Sequence, residues 1–91
     1  MIKKLTKVQK MMEDECNAIL KLLIEKNRKY GNSALEPLRI FSKASTIEQL
    51  YVRIDDKLSR LKNRQNDEDE DVTSDLIGYL ILLKIARSLK K

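Results

Sequence analysis

The sequence contains no histidine and no tryptophan, and only one cysteine, one proline and one phenylalanine. Without histidine there is no imidazole base, so Ser-His-Asp and Cys-His catalysis are excluded. The lone Cys16 cannot close a disulfide within the chain or build a Cys/His zinc centre. Four scattered aromatics (Tyr30, Phe41, Tyr51, Tyr79) do not make a stacking platform for single-stranded nucleic acid. The longest apolar stretch, Leu76 to Leu83, falls far short of the roughly 20 residues a membrane span needs. Met1-Ile2-Lys3-Lys4-Leu5 lacks the apolar core of a signal peptide. These absences lead to the expectation of a cytoplasmic protein with no membrane partner, whose chemistry would have to come from carboxylates, Lys, Tyr or a bound metal.

What remains is 91 residues with 42% hydrophobic and 36% charged side chains, enough for one domain spanning 1–91 with a modest core. The net charge of +5 is uneven. Residues 1–31 carry eight basic and four acidic side chains, and residues 67–91 carry four and six. A basic surface draws phosphate-bearing partners of any kind. The acidic run Asp67-Glu68-Asp69-Glu70-Asp71 weighs against nucleic acid.

The apolar spacing predicts an all-α fold of three main helices plus a short helical turn. Helix 1 is expected over about Leu5–Lys29, with Leu5, Val8, Met12, Cys16, Ile19, Leu23 and Tyr30 on one face and Gly31 as its stop. Cys16 on that stripe reads as a small buried hydrophobe. The connection after Gly31 has capping-box spacing at Ser33 and Glu36, and Leu38, Ile40 and Phe41 are expected to plug the core from it. Helix 2 is expected to begin at Ser45 or Thr46, since Ser45-Thr46-Ile47-Glu48 is a capping box. Its stripe is Ile47, Leu50, Tyr51, Ile54, Leu58 and Leu61, and its last turns are basic as far as Arg64. Helix 3 is expected over Val72–Leu89 and is apolar almost all round, with Gly78 at its middle. Two partner helices cannot cover such a surface, so it predicts a homo-oligomeric bundle through helix 3. Gly78 would suit the close approach of another backbone or a ligand.

Two constellations could carry chemistry. Asp55, Asp71 and Asp75, with Glu13 and Glu15, are oxygen donors on different helices, and Mg²⁺ favours such ligands with substrate phosphates completing its shell. Asp71 and Asp75 serve equally well as helix-start residues, and Asp55 as the partner of a nearby Lys or Arg. The segment Lys26 to Ser33 sets cations beside a glycine turn with Asn32 and Ser33 donors, suited to a phosphate, but it also reads as a helix stop followed by a helix start. It lacks the Walker pattern. The basic stretch Arg53, Lys57, Arg60, Lys62 and Arg64 reads as a solvated face.

Four segments in order add a family signal. They are Lys29-Tyr30-Gly31-Asn32-Ser33, Pro37-Leu38-Arg39-Ile40-Phe41-Ser42, Val52 to Asn63, and Glu70-Asp71 with Asp75-Leu76-Ile77-Gly78-Tyr79-Leu80. Over residues 28–83 they resemble the small phage and prophage family called nucleotide modification associated domain 1. A looser similarity is to the all-α, MazG-like nucleoside triphosphate pyrophosphohydrolases, which are oligomeric and Mg²⁺-dependent. The resemblance implies a phage-type protein of nucleotide metabolism, working in the host-cell cytoplasm. Lys29, Tyr30, Asn32, Ser33, Arg39 and Arg53 would then contact nucleotide phosphates, and Asp55, Asp71 and Asp75 would hold Mg²⁺ for hydrolysis of NTP or dNTP to monophosphate. The chain departs from the MazG-like fingerprint: it has no Glu-x-x-Glu, and its one Glu-x-x-Asp is Glu68 to Asp71 in the acidic run. No catalytic residue is assigned. The other readings are a non-catalytic module that sequesters a nucleotide, and a protein-binding effector against a host factor.

Overall fold

The computed structural model describes residues 4–63 and 71–90. It contains three α-helices, α1 (Lys7–Tyr30), α2 (Thr46–Lys62) and α3 (Val72–Leu89), and no strand among the described residues. The all-α expectation holds. Arg64 and the acidic residues 67–70 lie outside the described residues. The chain divides into two compact units, Met1–Gly31 and Asn32–Lys91.

The first unit is α1. It starts at a capping box that the apolar pattern did not reveal: the Thr6 hydroxyl accepts from the Gln9 backbone N–H, and the Thr6 N–H donates to the Gln9 side chain. Two of the first-turn N–H groups are thereby satisfied. Lys10 bridges Glu13 at 2.8 Å and Asp14 at 3.2 Å. The Glu13 hydrogen bond, then that of Asp14, raises the Lys10 pKa above its ordinary value. On so exposed a surface these pairs add little stability. Gly31 ends the helix at φ 69, where a side chain would be strained, and its N–H donates to the Asn27 carbonyl at 2.7 Å. Cys16 is exposed, contrary to expectation. Residues 4–18 are exposed on every face of the helix, Val8, Met11 and Met12 included, so nothing within this unit covers Cys16.

The second unit is a hairpin of α2 and α3 with its own small core. Leu50, Ile54, Leu83 and Ala86 are buried together, and Ala34, Leu35, Ile47, Leu76, Tyr79 and Leu82 pack against them. Cross-helix pairs run Tyr51 to Arg87 near one end and Lys57 to Asp75 near the other, so the helices are antiparallel. Leu50 and Val72 are fully buried. Each such side chain contributes roughly 1.5–3 kcal/mol. Ser45 caps α2 by accepting from the Glu48 N–H, as its spacing predicts. The buried positions of α2 are Leu50, Ile54 and Lys57. The stripe is therefore turned from the expected one, leaving Leu58 and Leu61 substantially exposed. α3 has the expected ends and buries Val72, Asp75, Gly78, Leu83 and Ala86, while Ile77, Leu80 and Ile85 stay 40–44% exposed.

The connection 31–45 departs most from expectation. Leu38, Ile40 and Phe41 do not plug the core: they are 85%, 73% and 97% exposed. Residues 31–36 form the short turn expected there, with the Asn32 carbonyl accepting from the N–H groups of Leu35 and Glu36 in one turn of helical bonding. That turn brings Ala34 and Leu35 to the core instead. The following residues are tied by local bonds, Arg39 to Ala44 and Thr46 and Ser42 to Ala44, and these close a loop on the surface.

Candidate functional site

The two ends of the hairpin carry opposite chemistry. At the C-terminal end of α2 and the start of α3 stand the candidate metal carboxylates. Asp71 is the N-cap of α3. One carboxylate oxygen accepts from the Ser74 N–H at 3.2 Å and the other from the Ser74 hydroxyl at 2.7 Å. Those bonds, the hydroxyl first, hold the Asp71 pKa below its ordinary value. Asp75, one turn on, is buried, and its carboxylate lies 3.6 Å from the Lys57 ammonium, itself buried. Asp55 is exposed on α2, next to Asp56, which pairs with Arg60 at 3.6 Å.

Among the described residues no three His, Cys, Asp or Glu side chains are grouped as a metal site would require. Glu13 and Glu15 lie in the other unit. A Mg²⁺ ion bonds oxygen at about 2.1 Å, so on Asp75 it would stand within about 6 Å of the Lys57 ammonium. Repulsion between the two charges would be of order 5 kcal/mol at an effective dielectric of 20. Among the described residues, Asp55, Asp71 and Asp75 as they are bonded here do not fit a Mg²⁺ ion. Lys57, read from the sequence as part of a solvated basic face, is buried instead, and its i+3 spacing from Ile54 puts it on the buried side of α2.

At the opposite end, the start of α2 meets the end of α3 around an apolar pocket of about 260 Å³. Leu35, Ile47, Ala86 and Leu89 supply its apolar walls, and Ser45, Thr46 and Lys90 its polar ones. Arg39 is fixed beside it. Its Nε donates to the Ala44 carbonyl at 3.1 Å, and Nη2 donates to the Thr46 hydroxyl at 2.9 Å. The Thr46 hydroxyl in turn donates to the Leu35 carbonyl at 3.3 Å. An arginine has five N–H donors in a planar fork that matches phosphate oxygens, and these two bonds use two of them.

No protein-family model, no curated protein and no solved structure matches this chain.

The six candidate phosphate residues are distributed accordingly. Arg39 touches the pocket wall at Thr46. Asn32 and Ser33 belong to the turn that delivers Leu35 to the same wall. Arg53 lies two helical turns along α2, its guanidinium 6.0 Å from the Tyr79 ring centre. Lys29 and Tyr30 end the other unit, with the ammonium 5.2 Å from the ring centre. Sequence reasoning named Arg39 as a charge-neutralising residue but not the pocket, because Leu89 and Lys90 are far from it in the chain. Among the described residues, no helix is long and apolar enough to cross a membrane.

Proposed function

We propose that this chain binds a nucleotide by its phosphates, without hydrolysing it, at the pocket between the start of α2 and the end of α3. One observation carries the reading: Arg39 is held by two hydrogen bonds against a wall of an apolar pocket that Lys90 also lines. An apolar hollow with a few convergent polar groups is the usual form of a small-ligand site. A nucleobase and ribose would fill the hollow between Leu35, Ile47 and Leu89, and Arg39 and Lys90 would meet the phosphates. The Ser45 hydroxyl already caps Glu48, and the Thr46 hydroxyl already bonds Leu35 and Arg39. Base identity would then matter little, and affinity would rise with the number of phosphates. The resemblance to nucleotide modification associated domain 1 supports the same class of ligand.

The working form in this reading is a homo-oligomeric helical bundle, supported by the exposed Ile77, Leu80 and Ile85 of α3. Exposed apolar side chains on one helix are commonly covered by association.

Titration calorimetry of the purified protein with ATP, GTP, CTP, UTP and dATP tests the proposal. Binding to each is expected, and Arg39→Ala should weaken it by about tenfold or more, as expected for a lost hydrogen bond to a charged group. Intact wild-type protein that binds none of them would refute it. The exposed Leu38, Ile40 and Phe41 favour a second role, contact with a host protein through the surface loop. In that case nucleotides would leave the protein untouched.

A further inference from the structure

The charge arrangement at the two ends of the hairpin bears on the form of the nucleotide. The resemblance to MazG-like enzymes implies a nucleotide delivered as its Mg²⁺ complex, with the metal on helix carboxylates. Here the buried Asp75 already has a cation, the Lys57 ammonium at 3.6 Å, with 10% and 7% of the Lys and Asp side chains exposed. Both Asp71 oxygens are bonded to Ser74. The charges that would meet a phosphate, Arg39 and Lys90, stand at the other end of α2 and α3, beside the pocket.

We infer that the nucleotide taken here is the metal-free anion: Lys57 holds the place at Asp75 that a divalent ion would have, and the Arg39 and Lys90 side chains neutralise the phosphates. This rests on the nucleotide reading above. A Mg²⁺ ion on the phosphates would reduce the charge that Arg39 and Lys90 meet, and among the described residues no gathered carboxylates would repay it by binding the metal.

The test measures ATP affinity by calorimetry in excess EDTA and again in excess Mg²⁺. The expected result is tighter affinity in EDTA than in Mg²⁺, by more than about threefold. A difference within about threefold, or tighter affinity with Mg²⁺, would overturn the inference. Absence of ATP binding in both buffers would refute the nucleotide reading itself, and the metal question is then decided by a second arm. Mn²⁺ is titrated into nucleotide-free protein and followed by electron paramagnetic resonance. The wild type should show no Mn²⁺ site that Asp75→Asn removes. Asp55→Asn with Asp71→Asn, both at exposed positions, keeps this arm decisive if Asp75→Asn does not fold. A submillimolar Mn²⁺ site lost in either variant would overturn the inference.

Discussion

The two ends of the α2–α3 hairpin are built from similar materials and do opposite things with charge. At the Asp75 end, carboxylates are satisfied internally, by a buried lysine and by a serine one turn into the helix. At the Arg39 end, Arg39 bonds a carbonyl and a hydroxyl beside an apolar hollow that Lys90 also lines. A neutral oxygen can orient a guanidinium without discharging it, whereas an ion pair consumes both partners. At the end that looks most like an enzyme site in the sequence, Asp71 and Asp75 are held by internal bonds, and the phosphate contact proposed above lies at the other end.

The largest effect that would break this comparison lies at Lys57. Lys57→Ala strands a buried carboxylate, and should cost about 3 kcal/mol, the low end for breaking a buried pair, given the 3.6 Å separation. Replacing both partners, as in Lys57→Met with Asp75→Leu, should restore most of that loss. Urea denaturation of the three proteins checks both statements. If Lys57→Ala were as stable as wild type, the pair would not be structural, and Asp75 would again be open to other roles.

A smaller effect is expected at Asp71. Asp71→Ala removes the α3 cap and should cost about 1 kcal/mol at neutral pH, while Asp71→Asn should cost less. The cap also has a pH signature. Its folded pKa lies below the ordinary value of 3.8, so the unfolded chain takes up the proton first as pH falls. The stabilisation is complete above the ordinary aspartate range and is lost as pH falls through the depressed folded value. Denaturation at neutral pH and near pH 3 should show the Asp71→Asn deficit shrinking in acid. A deficit that grows in acid would reverse the sign of the assignment.

The smallest effect should come from Phe41. With 97% of it exposed, Phe41→Ser should change stability by less than about 0.5 kcal/mol. A loss of several kcal/mol would mean that the side chain is a core plug after all.

Much of the fold could be read from the residues themselves. The span of α3, the Ser45 cap of α2 and the Gly31 stop of α1 all follow from periodicity and capping chemistry. The failures share one physical origin: apolar character says that a side chain is better buried, not where the chain allows it to go. Phe41 is as apolar as any residue here, yet the Arg39 and Ser42 bonds close its loop outside the core. Lys57 failed in the opposite sense, because a lysine on a helix reads as surface unless its partner is known. The partner, Asp75, lies on another helix, and so do Leu89 and Lys90, which finish the pocket that Arg39 flanks. Contacts between distant segments decide both ends of the hairpin, and spacing within one helix does not encode them.

The most direct test of which end takes the ligand is a ¹H–¹⁵N correlation spectrum of the labelled protein, recorded as ATP is added. The account predicts shifts centred on Leu35, Arg39, Ser45, Thr46, Ile47, Leu89 and Lys90, with Asp71, Ser74 and Asp75 little changed. Shifts centred instead on Asp55, Asp71 and Asp75 would contradict it and return the function to the carboxylates.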